Sequence, residues 1–567
     1  MTTGASRGAS RGAREAGGLL GLLVAALAGL GLLAAAAGPV LAQSSPGASE
    51  VAMMTPRSGP AIGGGEATAM SCPLRYKLPG DVRADLPSDS AQGAFDKYSW
   101  RTFLALNAQG VGKRISRRGD NQTQWSRWSS TDGLINCARD PDSPNCKCPD
   151  GDCFASGTEY YPDECMAIDG YQKYRVLAEV SKVDDLFLQA GHGELSNDPL
   201  IDANGNFLRF EIMVSPAAQR YVVDNELYDG DVVNGLTENV NFPCGREGYR
   251  RGDPASRKAG AYVVKNAWME LPDEALAFGY ADRGRFHIEE LLVHSPAYTN
   301  KSGVATCEKK VMALVGQHIA HKTVKQPRWT WSTFEHNRNA PNCTELPPTG
   351  DQQDAGPSTA CPANVKRTYN FFPKECSANG ADPDACQSCN VVPVSNRPGC
   401  KNPDVDGDTS WCLDRSPKPV AGMTRACTQV NVRKYYPTAH EMNKACEAAL
   451  GSLSVWSNYK LISTQWYNTN STSCTTETNV DRGLEQPQVP IAGRGNEETT
   501  PYLANSSMET YVRANCMGCH SNARIPGPPA QPTPSTVYMD FMYWLKLESA
   551  DTGDSDGLAA MLERSPH

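Results

Sequence analysis

Hydrophobic and polar positions divide the chain into segments of different character. Residues 19–37 form one long apolar run, preceded by Arg7, Arg11 and Arg14 and followed by Val40-Leu41-Ala42. A basic start, an apolar stretch and small residues at a cut point predict a signal peptide over residues 1–42, and with it an exported chain that is periplasmic or secreted. If it is not removed, the same run is long enough to anchor the chain in a membrane; if it is cleaved, no stable span is expected. Residues 43–70, rich in Ser, Pro, Gly and Ala, read as a flexible leader.

Beyond the leader the pattern changes to that of a packed domain. Between Ser90 and Gln109, the positions of Phe95, Trp100, Phe103, Leu104 and Leu106 predict one buried helical face. Short runs rich in branched and aromatic residues predict strands over Phe207–Val214, Tyr262–Leu271 and Phe286–Val293. In residues 311–321, Val311, Ala313, Val315 and Ile319 share one strand parity and Met312, Leu314 and Ala320 the other, so both faces are expected to be covered. A strand sends His318 and His321 to opposite faces, whereas a helix would bring both to one side; Gly316 favours the strand. The aromatic run Trp329, Trp331 and Phe334 reads either as the wall of a cofactor pocket or as core. A helix is predicted from His440 to Tyr467, interrupted at Gly451.

These elements predict an α+β fold, a large sheet-containing body with helical segments and disulfide-stapled insertions, and Cys516-Met517-Gly518-Cys519-His520, which has the spacing of a haem c attachment site, adds a C-terminal haem-attachment segment. The expected boundaries are 71–479 for the main body, with Cys-rich insertions at 137–165 and 343–427, and 480–567 for a cytochrome-c-like segment packed on that body. The 20 cysteines suit an exported chain whose irregular segments are held by cross-links. A formal net charge of -9 weighs against broad nucleic-acid binding, so no nucleic-acid partner is expected.

The candidate chemistry lies in Cys516-Met517-Gly518-Cys519-His520. Two thiols at this spacing form thioethers to the vinyl groups of haem, and the adjacent imidazole reaches the iron, so the spacing predicts one covalently attached haem c with His520 as metal ligand. The opposite iron face is left to His318 or His321 from the body, to Met539 or Met542 downstream, to another ligand or to an open site. Cys386-Gln387-Ser388-Cys389 is followed by Asn390 and reads as a disulfide instead.

Blocks over about residues 95–545 extend this picture: Trp100-Arg101-Thr102-Phe103-Leu104-Ala105-Leu106-Asn107, Val315-Gly316-Gln317-His318-Ile319-Ala320-His321-Lys322-Thr323, Trp329-Thr330-Trp331-Ser332-Thr333-Phe334-Glu335-His336, Ser454-Val455-Trp456-Ser457-Asn458-Tyr459 and the motif ending at His520. Together they resemble a family of exported bacterial cytochrome-c-like proteins with a large N-terminal body and a single C-terminal haem-attachment motif. The resemblance implies electron transfer or haem binding. The expected function is one-electron transfer to or from a periplasmic redox protein. The alternatives are a haem-dependent peroxidase, with His318, His321 or His336 assisting proton transfer, and an extracellular haem sensor or interaction module.

Overall fold

The computed structural model describes residues 70–82, 91–107, 123–177, 202, 206–245, 259–271, 285–295, 304–340, 369–371, 437–466, 505–508, 520, 523, 525 and 537–545, apart from the single positions 76, 453, 541 and 543. The second Cys-rich insertion, 343–427, falls almost wholly outside them, as do Cys516 and Cys519. The chain divides into two units, Met1–Ala67 and Thr68–His567, and all the described residues belong to the second.

Ten strands are described: β1 (Ser129–Ser130), β2 (Cys146–Lys147), β3 (Glu159–Tyr160), β4 (Val176–Leu177), β5 (Arg209–Val214), β6 (Tyr262–Glu270), β7 (Ile288–Ser295), β8 (Thr306–His321), β9 (Thr330–His336) and β10 (Tyr459–Gln465). Eight of them make one sheet, in the order β1-β5-β6-β8-β7-β4, with β9 also pairing with β8 and β10 pairing with β9. All of these pairs are antiparallel except β4 with β7. Strand β8 is the spine of the sheet. Its first half pairs with β7 and its second half with β9 on the same side, while β6 runs along the other side.

A bulge in β8 decides which side chains share a face. Ala267 pairs with Gly316 but Trp268 pairs with Leu314, so Val315 is an extra residue on β8. Parity therefore shifts at Val315. Ile319 joins Met312 and Leu314 in one core cluster, whereas simple alternation would group it with Val311, Ala313 and Val315. Gly316 fits tightly against the sheet, since a Cβ there would lie 2.1 Å from Ser507 Oγ.

The front of the sheet is covered by α1 (Ala91–Asn107) and α6 (Pro437–Leu450), the first and last of six described α-helices. The predicted face of α1 is buried as expected, with Phe103 stacked on Phe334 at 4.2 Å and edge-on to Trp456 at 5.6 Å. Such aromatic pairs add about 0.5–1.5 kcal/mol each beyond area burial. Helix α6 stops at Gly451, whose left-handed φ of 64° ends the helix and whose N–H donates to Glu447 O. The helix expected to continue to Tyr467 is replaced by strand β10, because Tyr459, Leu461 and Ile462 pack into the core through pairing with β9.

On the back lie α2 (Thr131–Arg139), α4 (Pro216–Asp224) and α5 (Gly230–Asn234), together with pieces of the C-terminal tail; the short α3 (Asp163–Met166) packs near β7 and β8. Ser215 caps α4 by accepting from Ala218 N, and Asp229 caps α5 in the same way from Asp231 N. The expected stapling of 137–165 is present. Cys137 bonds Cys146, Cys148 bonds Cys153, and Cys165 reaches Cys307 on β8. Cys72 joins Cys446 on α6, and Cys244 is also disulfide-bonded.

The α+β body and its stapling stand, but the C-terminal haem-attachment segment of the predicted fold does not. Among the described residues, the tail contributes apolar packing and hydrogen bonds to the sheet, and no cluster of ligating side chains that would hold an iron porphyrin. No described helix is long and apolar enough to cross a membrane.

Candidate functional site

Polar groups are buried on both faces of the sheet, and the two sets differ in how they are satisfied. On the front, a continuous hydrogen-bonded chain crosses four strands. Trp125 Nε1 donates to Asn107 Oδ1 at 2.9 Å, Asn107 Nδ2 to Gln317 Oε1 at 2.8 Å, and Gln317 Nε2 to Asn266 Oδ1 at 2.8 Å. Asn266 Nδ2 and Trp268 Nε1 both donate to Glu211 Oε1 at 2.9 Å. Arg175 then bridges Glu211 and Glu289, lying 5.1 Å from the ring centre of Trp125, and His287 Nε2 meets Glu289 Oε1 at 2.7 Å. Burial pushes the Glu289 carboxyl up, but Arg175 and His287 outweigh it and hold the group down at about 2. Glu159 lacks so close a cation, and burial raises it to about 7.

The predicted histidines separate as a strand requires. His321 is on the front, its ring stacked on Tyr262 at 3.6 Å with Nδ1 hydrogen-bonded to Tyr98 Oη. Desolvation holds its pKa well below the ordinary value, so the imidazole is neutral. His318 is on the back, in a cross-strand row with Lys265 and Thr333. His336 stacks on Phe286 at 3.9 Å and accepts from Arg338 N, and burial lowers it to about 3. His520 reaches the back of the sheet, its ring 4.5 Å from that of Trp331.

The back carries the candidate site. Trp329, Trp331 and Trp544 belong to one buried cluster with Phe242, Val537, Met539 and Met542. Trp329 and Trp544 flank Phe242, at 5.8 and 6.2 Å between ring centres. All three indole Nε1 atoms are buried, and no acceptor for them is found among the described residues. Trp329 also has a left-handed φ of 68°, which is rare for a bulky residue and costs backbone strain. Asp540 is left-handed as well, at 49°, and its carboxylate meets Lys322 Nζ at 2.5 Å with both side chains fully buried. Strain and unmatched donors thus coincide in one place.

Met539 and Met542, weighed as iron ligands, are buried core residues of this cluster. The aromatic run of β9 was legible as a candidate wall, and the tail residues that complete the wall were partly so. What the sequence did not disclose was the pairing of Lys322 with Asp540. A lysine closing a strand whose last ten residues are buried was the available signal.

No family model, no curated protein and no solved structure matches this chain. The resemblance to exported cytochrome-c-like proteins is therefore corrected: the motif blocks do not make the chain a recognisable member of a family. The haem c cofactor is corrected with it, along with the iron-binding and cytochrome c assignments. Among the described residues no group of three or more His, Cys, Asp or Glu side chains is placed to hold a metal ion, and His318 and His321 face opposite sides of the sheet. Monohaem electron transfer, haem peroxidase and haem sensor all required that cofactor and fall together. Cys516 and Cys519 lie outside the described residues, and the roles expected of them and of His520, His318 and His321 lose the group they were to serve.

Proposed function

We propose that this protein works outside the cytoplasm as a binding protein for a small molecule rich in hydrogen-bond acceptors, held on the back of the sheet. The observation that carries the reading is that three tryptophans of one buried cluster, Trp329, Trp331 and Trp544, have indole N–H groups with no acceptor among the described residues. Each buried donor left unmatched costs about 1–3 kcal/mol, and a ligand oxygen would recover that cost. Because the unmatched atoms are donors, the complementary ligand presents carbonyl or carboxylate oxygens. The surrounding rings of Phe242 and the indoles favour an apolar or aromatic frame bearing those oxygens.

Export is supported by the predicted signal peptide and by disulfides that bridge distant parts of the chain, Cys72 to Cys446 and Cys165 to Cys307. The body and the tail act as one unit in this reading, since the tail supplies Trp544 to a wall begun by β9. A redox-protein partner has no remaining basis, and the partner proposed is the small molecule itself.

The test is mass spectrometry of oxidised protein purified from an exporting host, under native and then denaturing conditions. The expected result is a small-molecule adduct that is present in the native spectrum, is released on denaturation and falls in occupancy at least tenfold in W331F and W544F. A native mass equal to that of the bare chain overturns the reading, as does an adduct that survives denaturation or is retained equally by both variants.

A further inference from the structure

Lys322 closes β8, and Asp540 lies in the tail more than two hundred residues later, yet their charged groups meet at 2.5 Å with neither side chain exposed. Lys322 Nζ also donates to Asn241 Oδ1 at 2.6 Å, and Asp540 Oδ2 accepts from Phe242 N at 2.8 Å. The tail is hydrogen-bonded just before this contact. Val240 N donates to Tyr538 O, Tyr538 N to Asn239 Oδ1, and Met539 N to Ala523 O, all within 2.8–2.9 Å. The described tail residues 537–540, Met542, Trp544 and Leu545 therefore act as a strap on the back of the sheet, with Met539, Met542, Trp544 and Leu545 packed into the cluster that holds Trp329 and Trp331. Beneath the lysine the backbone is closely packed, since a Cβ on Gly260 would come within 1.9 Å of Lys322 O.

We propose that the Lys322–Asp540 pair is a latch that makes the closing of this strap all-or-none and so gates the site beneath it. The proposal rests on the binding reading for what the strap covers, and on the geometry alone for the latch. A strap lifted part-way would separate the ammonium from this carboxylate while both are still buried, which is costly for either group. The two stable states are then the strap fully seated and the strap fully released, with both ions in water. The left-handed backbone at Asp540 adds local strain that is relieved on release. Packing of the four apolar tail side chains opposes it.

Hydrogen exchange on the full-length oxidised protein, measured without added ligand, tests the latch separately from binding. D540N leaves the Lys322 ammonium facing a neutral amide. It is expected to speed exchange of the amides of Val240, Phe242 and Met539 by on the order of a hundredfold while those of β5, β6 and β8 keep their protection. The double variant K322M/D540L, which replaces the pair by apolar side chains, is expected to restore protection at Val240 and Met539, the Phe242 amide having lost its acceptor. Unchanged exchange in D540N overturns the latch, and so does a rise shared equally by the central strands. If D540N does not accumulate, the double variant decides: a folded sheet under an unprotected strap overturns the proposal, and a protected strap supports it. Faster loss of the native adduct in D540N tests the gating. Absence of any adduct in the parent protein counts against the binding reading and leaves the exchange result standing for the latch.

Discussion

On the front of the sheet, Trp125 and Trp268 each give their indole N–H to a side-chain oxygen, whereas on the back Trp329, Trp331 and Trp544 give theirs to none among the described residues. The front also places an arginine between two carboxylates and carries the hydrogen bonding through to α1, so its buried polar groups support one another. The back concentrates strained backbone at Trp329 and Asp540 in the same cluster as the unmatched donors. On the front, His287 Nδ1 and His321 Nε2 are likewise buried without a partner among the described residues, but the indoles there are paired; under the proposed reading, the unmatched indole donors of the back suit a site that receives something else. The two faces of the sheet thus differ in how their indoles are satisfied.

Removing Arg175 is the most damaging way to break the comparison. R175M leaves Glu211 and Glu289 buried without their shared cation and is expected to cost about 3–5 kcal/mol in denaturant unfolding of the oxidised protein. A loss below 1 kcal/mol would mean that the front network is not structural. G260A comes next, since its Cβ would meet the backbone carbonyl of Lys322, which cannot rotate away. Overpacking there is expected to cost about 1–3 kcal/mol and to loosen the strap region before the front.

Glu159 sharpens the comparison through pH. Its carboxyl is raised to about 7 in the folded protein, above the ordinary 4.5, so the fold favours the neutral acid. The stability contributed by Glu159 is fully present below pH 4.5 and is lost as pH rises through 7. E159Q is expected to flatten that fall and to be more stable than the parent at pH 8 by on the order of 2 kcal/mol, with the two equal near pH 4. Urea midpoints across pH 4–8 measure this, and parallel curves would refute it. The smallest effect compares one indole from each face. W125F strands the Asn107 oxygen, whereas W331F removes a donor that had no acceptor, so W125F should cost about 1 kcal/mol more in adduct-free protein.

Much of the fold was legible because burial writes itself into local pattern. The helical face of α1 and the strands β5, β6, β7 and β8 follow from apolar spacing, and His318 and His321 diverge as a strand demands. Tyr459–Gln465 read as helix because its spacing of large residues fits either period, and only pairing with β9 made it a strand. The five residues ending at His520 read as a haem site because local spacing resembles a known chemistry, but local spacing does not establish a family or bring distant ligands together.

By itself the sequence determined the class of fold, the covered faces of its main elements and the use of cysteine cross-links, since each depends on side chains close in the chain or on composition. Tertiary structure alone decided the shift of parity at Val315, the meeting of Lys322 with Asp540 and the packing of Trp544 from the tail into the cluster that holds Trp329 and Trp331. Those depend on which distant segments share a low-dielectric interior, where an unmatched charge or donor costs most, and no local pattern encodes that proximity.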